Sequence, residues 1–397
     1  MRRFYLDDNA TTALDPRVRA IMEPLLSGHL GNPSSLHAEG RRARGEVDSA
    51  RDTVAAWLKA KSSEIIFTGG GTESCNLAVR GLALAHRDKG RHLITTKTEH
   101  HAVLNAFKAL EQSKEFDVTW LEVDAAGLID PEELARAIRP ETTLVSIMSA
   151  NNETGVRQPM RKIGAICAQR GVLFHTDAVQ SAGKEAIDLA GWQVGAASFA
   201  AHKFHGPQGA GVLWLKAGVP VVRLMEGGAH ENERRPGTEN TVALAGMAEA
   251  VRLHGEADAT EAARQFRWTE KLWQGLHALG DIRRNGHADQ RLGNTLNVSF
   301  LGLHGEDLLI GLDLAGLAVS SGSACLVGSV QPSHVLAAMG VPSEWASATV
   351  RFSIGSQIRD EDGEEILRRV GQVVRHQRGL RGWTPREEAS QQQEALA

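Results

Sequence analysis

TLVSIM (143–148), MRKIGAICAQRG (160–171) and GVLFHTD (171–177), taken in that order, decide the fold. An apolar run rich in β-branched residues gives way to a helix-like segment and then to a second apolar run. Strands alternating with helices of about 10–15 residues read as βαβ units, whose strands lie parallel. The alternation extends in both directions. EIIFT (64–68), HLITT (92–96) and DVTWLEV (117–123) precede this unit, and AASFAA (196–201) and GVLWLK (211–216) follow it. Helix-like segments at 72–90, 101–114 and 131–139 lie between the strands. The expectation is an α/β protein with a mostly parallel seven-stranded sheet covered on both faces. In such sheets the loops at the carboxyl ends of the strands form the ligand crevice.

Downstream the pattern changes. A long helix over roughly 241–257 leads into the charged stretch DATEAARQFRWTEKLWQGL (258–276). A smaller α+β unit then follows: TLNVSF (295–300), GEDLLIGLDLAG (305–316), LAVSSGSAC (317–325), ATVRFSI (348–354) and DEDGEEILRRVGQVVRHQR (360–378). We expect a large domain over 15–258 and a small one built from 1–14 and 259–378. The polar tail, 379–397, is expected to be disordered.

Composition excludes several classes. The 397 residues carry 44 Lys+Arg against 48 Asp+Glu, a formal charge of −4, which argues against a nucleic-acid-binding protein. No run approaches the ~18 apolar residues of a membrane helix, and the start, MRRFYLDDNATT, has no apolar signal core. Cys75, Cys167 and Cys325 are scattered and contain no CxxC pair, so a reducing, cytoplasmic setting is expected.

Four features fall at the expected carboxyl ends of strands or in loops beside them. FTGGGTES (67–74) joins a strand to a helix start through three glycines: an anion cradle, or a plain tight turn. Asp177 ends an apolar strand, where it either caps the next helix or meets a cation such as a protonated pyridine nitrogen. Lys203 lies just past a strand in AHKFHGPQG, as a solvated charge or as an amine activated by desolvation. His202 and His205 lack a third ligand in register, so no metal is expected. Cys325 sits among small residues in SSGSAC, as an inert thiol or a mobile nucleophile.

Together and in this order these segments resemble the pyridoxal-phosphate-dependent cysteine desulfurases of the nitrogen-fixation and iron–sulfur-cluster type, within the class V aminotransferase superfamily. The resemblance runs from YLDDNATT (5–12) through GNPSSLHAEGRRAR (31–44), GGGTES, TEHHAV (98–103), ANNETGV (150–156), HTDAVQSAGK (175–184), AHKFHGPQG, RRPGTEN (234–240) and SSGSAC to VRFSIG (350–355). It implies the fold type I of pyridoxal-phosphate enzymes. It also implies release of L-alanine from L-cysteine, with the sulfur held as a persulfide on Cys325 and passed to an iron–sulfur scaffold or another acceptor. A selenocysteine lyase, or another enzyme of the superfamily, is the alternative.

On this resemblance Lys203 forms the Schiff base, Asp177 faces the pyridinium nitrogen and Gln180 meets the phenolic oxygen. His100, the first of the HH pair, stacks over the ring and moves protons, while His101 points elsewhere. Gly71, Thr72 and His202 hold the phosphate, and Thr238 reaches across from a second subunit, which requires a homodimer. Arg351 grips the substrate carboxylate, and Asn152 assists at the cofactor and the substrate. Ala200 departs from the family's usual Ser. Cys75 stands where Asn is usual, at a helix start that could activate a thiol or simply bury it. Leu326 and Val327 replace small polar residues after Cys325.

Overall fold

A computed structural model of the chain describes residues 2–256, 258–321 and 333–383. Eight strands come first: β1 (Phe4–Tyr5), β2 (Ile65–Thr68), β3 (His92–Thr96), β4 (Asp117–Leu121), β5 (Thr142–Ser146), β6 (Leu173–Asp177), β7 (Ala196–Ala200) and β8 (Gly211–Leu215). β2 to β8 form one sheet in the order β2-β8-β7-β6-β5-β3-β4. β3, β4, β5, β6 and β7 pair parallel, whereas β8 is antiparallel to both β7 and β2. This is the mostly parallel seven-stranded sheet that the alternation of strands and helices leads one to expect.

Period-two alternation makes the sheet two-sided. Ile65 and Phe67 enter one core with Val145, Phe174, Phe199 and Trp214, and are covered by helices Ala38–Trp57, Met160–Gln169 and Thr241–His254. Ile66 points the other way, into a core with Leu93, Leu144 and Leu213 that helices Gly71–His86 and His101–Gln112 cover. The apolar runs read as strands are continuous rather than alternating because both faces are buried.

Four further strands follow: β9 (Ile282–Asn285), β10 (Thr295–Phe300), β11 (Leu317–Ala318) and β12 (Thr349–Ser353). β12, β10 and β9 form an antiparallel sheet, and β1 pairs parallel with β11. Phe4 and Leu6 of the N-terminal arm enter the core of this unit beside Trp268, Leu272, Val298, Phe352 and Val370. This separate core supports the proposed division at 15–258 against 1–14 and 259–378.

Three segments differ from expectation. Helices Pro16–Ser27 and Ala38–Trp57 had no counterpart among the expected helices. The latter helix shows Arg41 and Arg42 to solvent but buries Ala43, and Arg44 pairs with Glu239 at 3.0 Å. The tail does not begin at Gly379, since the last helix runs Asp362–Leu380 and Trp383 packs over Gly302. There the Trp383 indole N–H donates to Asp281. Residues 384–397 lie outside the described residues, as do Cys325, Leu326 and Val327.

Candidate active site

The carboxyl ends of β2, β3, β5, β6 and β7 lead into a cleft of about 350 Å³. Gly71, Thr72, His100, Asn152, Asp177, Gln180, His202, Lys203 and Arg351 all line it. Thr238 is exposed and does not. These residues come from the loops that follow five strands and from β12 of the small sheet. Chain topology alone brings them together.

One end of the cleft is a helix start. Thr68 closes β2, and its Oγ1 meets Ser74 Oγ at 2.7 Å, which ties the strand to the first turn of helix Gly71–His86. Gly70 takes φ +149°, a conformation that side chains disfavour, and no side chain caps the helix. A Cβ on Gly71 would come within 2.9 Å of Val179 Cγ2 and 3.4 Å of the Ala200 methyl, so glycine leaves a hollow there that any side chain would fill. The Gly69 N–H donates to Glu73 at 2.6 Å, and Arg235 in turn holds Glu73 at 2.7 Å. The helix dipole and its first amides therefore face the cleft, ready for an anion.

The opposed charges sit deeper. Asp177, the last residue of β6, is 5% exposed, and its Oδ1 accepts the Val179 N–H at 3.0 Å. Lys203 ends the short turn after β7, and its Nζ donates to the carbonyls of Asn9 at 2.6 Å and Ala10 at 2.8 Å. Burial first, and Arg351 next, push the Lys203 pKa down to about 8, while Asp177 and Asp7 pull it up. An amine held near neutrality is a competent nucleophile and proton carrier.

His100 caps helix His101–Gln112: its Nδ1 accepts the Ala102 N–H at 3.2 Å. Burial and the nearby Lys203 lower its pKa, so the ring is neutral, and the capping bond leaves its proton on Nε2. His101 does not point elsewhere. It lines the same cleft, with its ring 4.6 Å from that of His334. His202 Nδ1 meets Thr11 Oγ1 at 3.2 Å, and burial pushes its pKa down to about 4.

Arg351, on β12, is 4% exposed. Its Nη1 donates to the Asn152 carbonyl at 2.9 Å and its Nη2 to Asp7 Oδ1 at 2.6 Å. Its Nε is buried with no partner among the described residues. Arg351 also lines the cleft, where a guanidinium suits a carboxylate.

Cys75 is buried at 1% exposure, and burial and Asp177 push its thiol pKa well above the ordinary value. The helix start therefore does not activate it, because desolvation of the thiolate outweighs the dipole. Cys167 lies in the core, with its pKa pushed up to about 12.

Residue-by-residue reading missed several members. Asp7 and Asn9 fall within YLDDNATT and Lys184 within HTDAVQSAGK, so the motifs were seen but not these roles. Glu99 and Glu153 are buried acids whose pKa values burial raises to about 8 and about 7. Nothing in sequence distinguishes them from solvated carboxylates.

An uncapped helix start, a hollow at Gly71, a buried carboxylate and a buried amine on one cleft are what a phosphorylated pyridine aldehyde needs. Fold and site together define a pyridoxal-phosphate-dependent enzyme of fold type I. The chain matches the family model "Aminotransferase class-V" over residues 4–366 and belongs to that family. It is 42% identical to a cysteine desulfurase IscS of Methanosarcina thermophila, over 96% of this chain and 95% of that one. It is 45% identical to a cysteine desulfurase IscS of Methylococcus capsulatus, over 90% and 89%. A solved NifS-like protein superposes with a TM-score of 0.88 at 37% identity, covering 94% of this chain and all of that one.

Proposed function

We propose that the protein is a cysteine desulfurase that converts L-cysteine to L-alanine, holds the sulfur on Cys325 as a persulfide and passes it to an acceptor. The convergence of Lys203, Asp177, His100 and Arg351 on one cleft is the observation that carries this reading. The cysteine desulfurases that align with nearly the whole chain support it.

When bound, pyridoxal phosphate supplies an electron sink for charge at the substrate α-carbon. Gly71, Thr72 and His202 would hold its phosphate, Asp177 would keep its pyridine nitrogen protonated, Gln180 would bond its phenolic oxygen and Lys203 would hold its carbonyl carbon. Asn152 reaches both cofactor and substrate. Arg351, which lines the cleft, receives the substrate carboxylate on its guanidinium and fixes the orientation of the α-carbon. Once the substrate amine displaces it, Lys203, with its lowered proton affinity, would take the α-proton, and His100 would help move protons within the cleft. The Cys325 thiolate bonds to the substrate sulfur as the C–S bond breaks. The carbon keeps that electron pair, takes a proton and leaves as alanine.

Thr238 completes the phosphate site of a second copy. Its exposure outside its own cleft, on a segment that Arg235 ties to Glu73 beside the phosphate helix, supports a homodimer. No described helix is long and apolar enough to cross a membrane. A cytoplasmic enzyme serving an iron–sulfur scaffold or another sulfur acceptor fits the free thiols of Cys75 and Cys167.

The test supplies L-cysteine and a reductant to the loaded protein. Equal yields of sulfide and alanine are expected, with about 32 Da (one sulfur) added to Cys325 before reduction. Turnover that survives Cys325→Ala removes the reading.

A further inference from the structure

Beside Lys203 lies a second amine that the roles above do not use. Lys184 Nζ donates to Gln180 Oε1 at 2.8 Å and to Asn9 Oδ1 at 3.3 Å. Gln180 Nε2 donates to the Asn9 carbonyl at 2.9 Å, and that same carbonyl accepts Lys203 Nζ at 2.6 Å. Asn9 itself cannot shift. It is 1% exposed, its N–H donates to Ser353 Oγ at 2.9 Å, and its Nδ2 donates to Thr295 Oγ1 at 2.8 Å. Its Oδ1 also accepts from Asn294 Nδ2 at 3.0 Å.

We propose that Lys184 is a positioning residue: with Asn9 it fixes which end of the Gln180 amide faces the cleft and strengthens that end as a donor. A primary amide is a donor at one end and an acceptor at the other, and the two ends have nearly the same shape. Gln180 is 5% exposed, so water does not choose between them. The Asn9 carbonyl can only accept and an ammonium can only donate, so Nε2 faces Asn9 and Oε1 faces Lys184, which leaves the second Nε2–H for the cleft that Gln180 lines. A charged donor on Oε1 also polarises the amide, which makes Nε2–H a better donor to an oxyanion in the cleft. Burial pushes the Lys184 pKa down to about 7, so the charged donor is present below that pH, while the Asn9 carbonyl holds the amide's orientation on either side of it. Lys184 touches neither substrate nor cofactor in this scheme, and acts through Gln180 alone.

The inference rests on the cofactor reading above, with Gln180 at the phenolic oxygen. Its test reads the bound chromophore rather than turnover. The pH midpoint of the visible absorbance change is measured for loaded wild type, Lys184→Met, Lys184→Arg, Gln180→Leu and the Lys184→Met/Gln180→Leu double variant. A weaker donor at the phenolic oxygen favours the protonated chromophore. Lys184→Met should therefore raise the midpoint by about half a unit to one unit, the size of one hydrogen bond. Lys184→Arg, which keeps a charged donor, should restore it, and the shift should vanish when Gln180 is already Leu. An unmoved midpoint in Lys184→Met overturns the proposal, as does the same shift persisting over Gln180→Leu. Melting curves before loading check that each variant folds, and Lys184→Gln stands in if Lys184→Met does not. Wild type that takes up no cofactor sinks the functional reading as well. Wild type that titrates normally beside an unmoved variant sinks this inference alone.

Discussion

Arg351 Nη2 donates to Asp7 Oδ1 at 2.6 Å, which joins β12 of the small sheet to the N-terminal arm at the wall of the cleft. The guanidinium thus meets its substrate already anchored. Asp7 and the Asn152 carbonyl hold two of its nitrogens, and Nε has no partner among the described residues. The anchoring costs the arginine little further side-chain entropy when a carboxylate arrives.

Arg351→Lys keeps the charge but loses the planar fork. With a charge-assisted bond worth about 1.5–3 kcal/mol, kcat/KM for L-cysteine should fall about 10- to 100-fold, mostly through KM. Sulfide-release kinetics provide the check. An unchanged KM would place the carboxylate elsewhere.

Ala200 is 1% exposed, lines the cleft and lies against the hollow at Gly71. Ala200→Ser would add a hydroxyl donor beside the phosphate site. Cofactor affinity should rise by about one to two orders of magnitude if that hydroxyl reaches a charged oxygen. The unloaded protein should lose about 1 kcal/mol for an unpaired buried hydroxyl. Equilibrium dialysis and urea unfolding measure the two effects, which should have opposite signs.

Glu99 is fully buried; its Oε1 accepts the Met148 N–H at 2.8 Å, while Oε2 has no partner among the described residues. Burial raises its pKa from 4.5 to about 8. A carboxyl that binds its proton more tightly when folded stabilises the fold below its unfolded value. That contribution is lost as pH rises through the folded value. The contribution of Glu99 should therefore be lost between pH 4.5 and 8, and the stability of Glu99→Gln should rise relative to the unloaded wild type over the same window. Parallel urea titrations at the two ends decide it, and equal slopes would count against a buried acid.

Cys75 and Cys167 are buried and resist ionisation. Iodoacetamide on the native protein should leave both unmodified while labelling Cys325, and all three should react in denaturant. Peptide mass mapping after a short pulse reads this out directly. Labelling of native Cys75 would contradict its burial.

The local signals were enough for the large sheet. β3 coincides with HLITT (92–96), β6 and β7 fall within the apolar runs that carry Asp177 and Ala200, and β5 begins one residue before TLVSIM (143–148) and ends at Ser146. Helix Ala38–Trp57 escaped notice because its charged residues dilute the apolar stripe of Ala43, Val47, Ala50 and Val54. The glycine turn at 69–71, the carboxylate at a strand end and the lysine after a strand were each visible one at a time. They acquired chemical meaning through the motifs they share with a known family.

What sequence by itself determined is the periodicity and the residue types: which runs bury both faces, and which acids, amines and thiols stand at strand ends. Only the tertiary structure decided which of them share a solvent-poor cleft. Asp7 lies 344 positions from Arg351, and Asn9 lies 194 from Lys203. Cys75 shows the same division in a single residue: its place at a helix start suggests reactivity, while the packing around it removes the water a thiolate needs. A pKa depends on the dielectric and charges within a few ångströms, and those neighbours are set by long-range packing that no local pattern encodes.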